Sequence, residues 1–355
     1  MYNGNYYVRS GVATVKMPPE TQLQLVMERA HAFDRWETSE SRRDVDAIDG
    51  SAVRSFRDAV ISEGRGRFDP DATVSEVLRT MNLLDAGGHP NRGAIALFGR
   101  PDSFGSEYAT LGCHLAAVDG IDLGESLRDV QIVENNIFVS LTRALEFCED
   151  HLHRPLHING LRARSRAEIP IEVLREALAN AFAHRTYAVA GRVQVRVYTD
   201  RVEVVSPGGL PFGLTPADLY VPHGSRPWNP NIMACLFRRG IVEQLGSGTL
   251  RMVRLCAEAG IGRPAFLTSG SEVVCAVPRY GYWLTPDGTG AKLTGTQGKI
   301  LGKLGEGPAR RSELADLLDM EATTIRDILM QLREDGLVHV EGHGRGAYWV
   351  LGECP

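Results

Sequence analysis

The chain has 355 residues, room for two or three domains of ordinary size. Hydrophobic residues make up 43% and charged residues 23%, the balance of a globular protein, and a formal net charge of −5 excludes a polycation that coats nucleic acid or acidic membrane along its whole length. No run of about 18 apolar residues occurs, and Met1–Asn5 lacks the basic-then-apolar layout of a signal peptide. The cysteines, Cys113, Cys148, Cys235, Cys256, Cys275 and Cys354, form no C-x-x-C pair. They read as reduced thiols, several of them core filler, in a cytoplasmic protein.

In chain order, Tyr6–Val8 are strand formers and Gly11 is a turn residue, so the first 16 residues are expected to be extended. Pro18-Pro19 precedes a helix-like stretch, Glu20 to Ala32, and the charged segment Asp34–Asp49 reads as a linker or mobile loop. Val53, Phe56, Val60 and Ile61 repeat at helical spacing, and Asp71 opens a second helix that ends before the turn signal Gly87-Gly88-His89-Pro90. Ala94–Phe98 is a short apolar run expected as a buried strand. Val130–Ile132 is expected as a strand, with a long helix after it to His151.

Pro170 suits the first turn of a helix running through Ile171–His184. Val193–Tyr198 alternates apolar and polar, Asp200-Arg201 turns the chain, and Val202–Val205 returns, which predicts a hairpin. A Gly/Pro-rich loop covers Ser206–Asn231. Helices are expected at Ile232–Phe237 and Thr249–Ala259, with a closing strand at Glu272–Val277. Thr285–Gly298 is a Gly/Thr-rich linker. Beyond it the pattern is helix, helix, helix, hairpin: Gln297–Leu304, Ser312–Leu318, Ala322–Asp335, then strands Leu337–Glu341 and Ala347–Leu351.

In the 171–184 helix, Glu176, Asn180 and His184 stand four residues apart and share one face. A carboxylate and an amide oxygen so placed can hold a divalent cation and a water; Mg²⁺ is bound by hard oxygen ligands and bridges substrate phosphates. Glu176 is then placed to orient or deprotonate an attacking water. Taken alone, E-x-x-x-N is a common surface pair on an amphipathic helix. Its company singles it out: a strand hairpin, then Ser206-Pro207-Gly208-Gly209-Leu210-Pro211, then Gly246-Ser247-Gly248 opening another helix. Glycines let backbone approach a ligand closely, and free N–H groups at a helix start bind phosphate.

These blocks together resemble the GHKL ATPase superfamily. Arg175–Ala181 with His184-Arg185 is similar to its N box, Arg201–Pro211 to its first glycine box, and Gly240–Thr249 to its second. The flavour resembles a family of transcriptional regulators with a divergent GHKL (HATPase-type) domain and a C-terminal winged helix, whose long members carry an AlbA-like, Schlafen-related domain in front. Tyr6–Gly11 resembles the tail of that front domain, which is expected to be almost wholly absent from this chain.

The resemblance implies an α/β (α+β) fold: a GHKL/Bergerat-type sandwich, a helical N-terminal region and a C-terminal winged helix-turn-helix. The implied division is 1–33, AlbA-like tail; 34–168, mostly helical connecting region; 169–284, ATP-binding domain; 285–296, linker; 297–352, winged helix. It implies ATP and Mg²⁺ as cofactors, Glu176 as the base and Asn180 as the metal ligand. His184, Ser206, Gly208, Gly209, Gly246, Ser247, Gly248 and Thr249 complete the nucleotide contacts. Two positions depart from the pattern. Ser206 stands nearest to an Asp that reads the adenine amino group, and His184-Arg185-Thr186-Tyr187 lacks the acidic residue of His-Arg-Asp-Tyr.

In the winged helix, Ala322–Asp335 reads as the recognition helix with Thr323, Thr324 and Arg326 near its start, and Arg345 lies at the wing tip. From Thr294 to Pro355 there are seven Lys/Arg and ten Asp/Glu, a net of −3, which disfavours sequence-independent binding to phosphates. His151, His153 and His157 read as a polar loop rather than a metal site, and Arg162, Arg164 and Arg166 as a solvated basic strand. Three functions stay open: an ATP-binding transcriptional regulator, with DNA and a second copy as partners; a Mg-dependent ATPase in DNA processing or defence; and a degenerate scaffold that binds no nucleotide. No membrane partner is expected.

Overall fold

The computed structural model describes residues 6–10, 13–17, 35–152, 156–159, 162–165, 167–211, 213–242, 247–285, 288–342 and 347–352. The helix-like stretch expected at 20–32 lies outside them. The first described elements are an antiparallel hairpin, β1 (Tyr7–Ser10) and β2 (Ala13–Lys16). Three helices follow: α1 (Gly50–Ser62), α2 (Val74–Thr80) and α3 (Arg92–Phe98). Their starts are set by side-chain caps, as helices with unsatisfied N–H groups require. Asp49 accepts from Ser51 and Ala52, Thr73 and Glu76 form a capping box, and Asn91 accepts from Ala94.

The last of these corrects the expected strand at 94–98. Every residue from Gly93 to Phe98 is buried, so the run carries no periodicity that separates helix from strand. The cap at Asn91 decides for helix. The charged 34–49 segment is likewise no free linker over its described residues 35–49: Glu37, Ser41, Ala47 and Ile48 are buried, and bridges join Glu40 to Asn91 and Ile48 to Gly99.

Next come β3 (Cys113–Val118), β4 (Leu127–Val133), α4 (Ile137–His151), a small hairpin of β5 (Leu156–Asn159) and β6 (Arg162–Ser165), and α5 (Ile171–His184). Then follow β7 (Val193–Val197), β8 (Arg201–Pro207), α6 (Pro230–Arg238), α7 (Gly248–Ala259), β9 (Ala265–Ser269) and β10 (Glu272–Pro278). Six of these strands form one mixed sheet in the order β4-β3-β7-β8-β10-β9, antiparallel throughout except for the parallel pair β3–β7. The expected mostly helical connecting region thus supplies two strands to the sheet, and β10, expected to close it, lies inside it between β8 and β9.

Registered neighbours share a face of the sheet. Cys113, Leu115, Val193, Val195, Val204, Cys275 and Phe266 point to one face and join a single core with α1 to α7 that spans Ala47 to Val277. On the opposite face, Ala265 and Ala276 are covered by Leu284 of a short hairpin, β11 (Tyr282–Leu284) and β12 (Gly290–Lys292). Strand β12 falls within the expected 285–298 linker, and the next helix begins inside it at Gly295.

The C-terminal unit holds α8 (Gly295–Glu306), α9 (Arg311–Leu318), α10 (Ala322–Glu334) and the hairpin β13 (Val338–Glu341)–β14 (Tyr348–Leu351). It has its own core around Ile300, Leu304, Leu314, Ile325, Leu329 and Val338. Among the described residues no helix is long and apolar enough to cross a membrane.

One buried carboxylate ties the start of the described chain to the site region. Glu37, 0% exposed, accepts the backbone N–H groups of Asn231 and Ile232 at 3.0 Å, with Arg35 at 3.6 Å. It therefore caps α6 from 194 residues away in sequence. Burial pushes its carboxyl above the ordinary range, against the pull of those two N–H donors. Glu37→Ala is expected to lower the unfolding free energy by about 2 kcal/mol in a urea titration. Glu40→Ala, at an exposed side chain, is expected to change it by less than about 0.5 kcal/mol.

Candidate functional site

Helix α5 is almost wholly buried, and alanines at 177, 179, 181 and 183 let it lie close to its neighbours. Its polar residues at four-residue spacing open into a pocket bounded by the sheet, α6, α7 and the 208–228 segment. The pocket and its open mouth together hold about 920 Å³ of empty space. Ala177, Ala181, Val204, Leu210, Met252 and Phe266 give it an apolar wall. Glu176, Asn180, His184, Ser206, Gly209, Gly248 and Thr249 all line it, so sequence positions 73 residues apart meet in one cavity.

Asn180 donates its amide N–H to Glu176 Oε1 at 3.2 Å. Its carbonyl oxygen, the harder metal ligand, makes no hydrogen bond among the described residues. Glu176 is 5% exposed and packs against the start of α7, where a Cβ added at Gly248 would overlap Glu176 Oε1. Only glycine admits that approach. Gly208 is required for a second reason: its φ of 109° suits glycine, and a Cβ there would overlap Thr186 Oγ1. Its N–H donates to Ser271 at 2.7 Å, so Gly208 shapes the loop, while Gly209 lines the cavity. Ser247 sits just before α7 without a side-chain cap bond. Gly246 lies outside the described residues.

Ser206 does more than line the pocket. Its hydroxyl donates to the Ala181 carbonyl at 2.9 Å. His184 and Thr249 show the opposite condition: His184 Nδ1 and Thr249 Oγ1 are shut off from solvent and have no hydrogen-bond partner among the described residues. Burial, then the nearby His223, hold the imidazole at about 4, well below the ordinary histidine value, so the ring is neutral at pH 7. A buried polar atom without a partner costs about 1–3 kcal/mol; two in one pocket fit a site that awaits a polar ligand.

The rest of the His-Arg-Thr-Tyr motif serves the scaffold. Arg185 is 0% exposed and donates to the carbonyls of Thr110 at 3.0 Å and Gly191 at 2.6 Å. It lies over the Tyr187 ring at 4.5 Å, and Tyr187 stacks on Trp36 at 4.4 Å. Tyr187 donates its hydroxyl to Phe182 O at 2.9 Å.

Several site residues carry no signal in the sequence. Asn229 donates Nδ2 to the carbonyls of Ala183 and Arg185 at 3.0 and 2.9 Å. Tyr220 donates its hydroxyl to Pro264 O at 3.0 Å, and Trp228 donates Nε1 to Gly209 O at 3.1 Å. The long Gly/Pro-rich loop is therefore anchored at its middle and at its end, and exposed residues concentrate at 221–226. His223 and Arg226 of that stretch line the pocket. No sequence rule links a lone Asn or Trp to a partner 19–46 residues away.

The other expected sites lie elsewhere. Thr323, Thr324 and Arg326 are exposed in the first turns of α10, and Arg345 lies outside the described residues. His151 pairs with Phe147 O and Asp129, the side chains of His153, His157, Arg162, Arg164 and Arg166 lie outside the described residues, and no metal-holding cluster of His, Cys, Asp or Glu occurs among the described ones. Cys113, Cys148, Cys235, Cys256 and Cys275 are buried free thiols.

Comparison with known proteins agrees with this geometry. Residues 191–277 match an HATPase-type family model described as "Putative ATP-dependent DNA helicase recG C-terminal". The match covers β7 to β10 and begins after α5. The crystal structure of the DIP2311 protein from Corynebacterium diphtheriae is similar in fold, with 18% identity and a TM-score of 0.56 over 98% of this chain and 70% of that one. No curated protein matches the sequence. The chain thus carries an HATPase-like α+β domain, which suggests nucleotide binding.

Two outcomes follow from the packing and the buried imidazole. Gly248→Ala is expected to destabilise by about 1–3 kcal/mol through overpacking, and Glu176→Ala in the same chain to relieve most of that, which a double-mutant cycle by urea unfolding measures. Unfolded chain takes up a proton on His184 near pH 6.5 whereas folded chain does so only near pH 4. The folded state therefore loses stability as pH falls from 6.5 towards 4. Thermal midpoints of wild type and His184→Phe over that range are expected to diverge, the variant falling less.

Proposed function

We propose that the chain is an ATP-binding regulator in which a nucleotide, held between α5, α7 and the sheet, is coupled to a DNA-contacting C-terminal winged helix. The observation that carries the reading is the convergence of Glu176, Asn180, His184, Ser206, Gly248 and Thr249 in one cavity of an HATPase-like domain. The unsatisfied His184 Nδ1 and Thr249 Oγ1 are what a polar ligand would complete.

In this reading residues 169–284, with the two strands added by 113–133, form the nucleotide unit. Asn180 Oδ1 is the metal ligand, and Gly248 and Thr249 present the first turn of α7 to phosphate oxygens. Mg²⁺, when bound, neutralises phosphate charge. Glu176, desolvated and beside Asn180, orients a water for attack. The Asn180 bond fixes the direction of its carboxylate.

Coupling has a physical route. Helix α7 starts at the pocket and ends at Ala259. Four residues on, Arg263 donates to the carbonyl of Gly352, just past β14, at 2.8 Å. A shift of α7 on nucleotide binding would reach the C-terminal unit through this bond. In that unit Thr323, Thr324 and Arg326 are the base- or phosphate-reading groups, and its net charge of −3 over 294–355 favours specific over general contact with DNA.

The Mg-dependent ATPase reading differs only in output, and the pairing of buried Glu176 with half-buried Asn180 favours keeping it. Calorimetry with ATP is expected to show binding that depends on Mg²⁺ and weakens at least about tenfold in Asn180→Ala. Glu176→Gln is expected to keep binding and abolish any phosphate release. Absence of ATP binding by wild type would overturn both nucleotide readings and leave the scaffold.

A further inference from the structure

Ser206 stands nearest to the position where typical GHKL ATPases carry a base-reading acidic residue, and the structure sets His184 in the same cavity. We propose that His184 is a specificity-determining residue: together with Ser206 it reads the edge of a 6-aminopurine, the imidazole meeting ring N1 while the exocyclic amine donates to Ser206 Oγ. This rests on the nucleotide reading above and names the part of the ligand that the far end of α5 recognises.

The case starts from Ser206. A hydroxyl has one proton and two acceptor lone pairs. Here the proton is committed to the Ala181 carbonyl at 2.9 Å, and Ser206 lines the cavity. Towards a ligand it is therefore an acceptor only, as a carboxylate would be. An amine at the purine 6-position satisfies it; a 6-oxo group sets two acceptors against each other.

His184 stands one helical turn beyond Ala181 and lines the same cavity. Neither ring nitrogen has a hydrogen-bond partner among the described residues, although Nδ1 is shut off from solvent. Among the described residues the ionisable group that acts on the ring is His223, on the exposed 221–226 stretch that also lines the pocket. A neutral imidazole offers one donor and one acceptor, so it can donate to the unprotonated N1 of a 6-aminopurine. Phosphate is a poor match at this end, since no cation is supplied by His184 or Ser206. The other orphaned atom of the pocket, Thr249 Oγ1, is in the first turn of α7, next in sequence to Gly248, which meets Glu176 two helical turns back along α5. That separation, about 12 Å along α5, suits a ligand with a base at one end and phosphates at the other.

A histidine kept for packing and one kept for a ligand respond differently to substitution. His184→Phe removes the unsatisfied nitrogens and keeps a flat ring. It is expected to leave the thermal midpoint of the ligand-free protein unchanged or a few degrees higher, while adenosine and MgATP affinities both fall about tenfold. His184→Gln, which keeps a donor, is expected to recover part of the loss. Wild type is expected to bind ATP at least about tenfold more tightly than inosine triphosphate, with that margin narrowed in His184→Phe.

A lowered midpoint with unchanged affinities in both variants would overturn the proposal, as would a loss confined to ATP with adenosine unaffected. Equal affinity of wild type for ATP and inosine triphosphate would also overturn it while leaving nucleotide binding intact. If wild type binds neither ATP nor adenosine, the nucleotide reading itself falls, and the proposal with it.

Discussion

The C-terminal end of α5 is buried, and that one fact organises the site. A helix leaves its last four carbonyls without partners inside the helix, and burial denies them water. Here three of them, those of Ala181, Phe182 and Ala183, are met from three directions. Ser206 of β8 takes Ala181, Tyr187 takes Phe182, and Asn229 takes Ala183 together with Arg185 just beyond the helix. Each of these bonds fastens a different part of the pocket to the same helix end: the sheet, the turn after the helix, and the last residue before α6. The cavity wall is therefore a by-product of satisfying a helix terminus.

The same constraint accounts for the residue at 206. A carboxylate could accept hydrogen bonds but not donate one. It would set negative charge against the Ala181 carbonyl and leave that oxygen without its donor, at a cost of about 1–3 kcal/mol. A hydroxyl donates to the helix and still shows lone pairs to the cavity. The departure from the acidic pattern thus exchanges charge for a bond that the buried helix end needs.

Legibility in the sequence followed the range of the interaction. The Glu176–Asn180–His184 face was readable because helical spacing alone puts the three residues together, and the β7–β8 hairpin because alternation and a two-residue turn are local signals. The helix at 92–98 was not, because a run buried on every side has no period to read. The place of β3 in the sheet was hidden for a different reason: besides its antiparallel neighbour β4 it pairs with β7, some 80 residues on in the chain, and parallel pairing carries no turn signature. Glu37 was hidden more deeply. Its charged surroundings look like a linker, and only the fold reveals that two N–H groups of α6 offset part of the cost of burying it. Arg185 and Tyr187 were grouped with His184 by adjacency, yet at the helix end consecutive residues point to different surroundings, and only His184 enters the cavity.

The anchoring also decides which motions are open to the protein. Trp228 and Asn229 fix one end of the long loop, Tyr220 fixes its middle to the β9 side, and Glu37 holds α6 from behind. Closure of the whole 206–231 segment would break all of these at once. Movement is cheapest in the exposed 221–226 stretch, which carries His223 and Arg226 at the pocket mouth, whereas α7, whose first residue meets Glu176 and whose far end leads to the Arg263–Gly352 bond, is held in the core by Met252 and Cys256. A ligand that completes Thr249 and presses on Gly248 acts on the first turn of α7, and a helix transmits such a push along its axis as a rigid element. The unsatisfied hydroxyl at one end of that helix and the inter-unit bond beyond the other are thus two ends of one mechanical element.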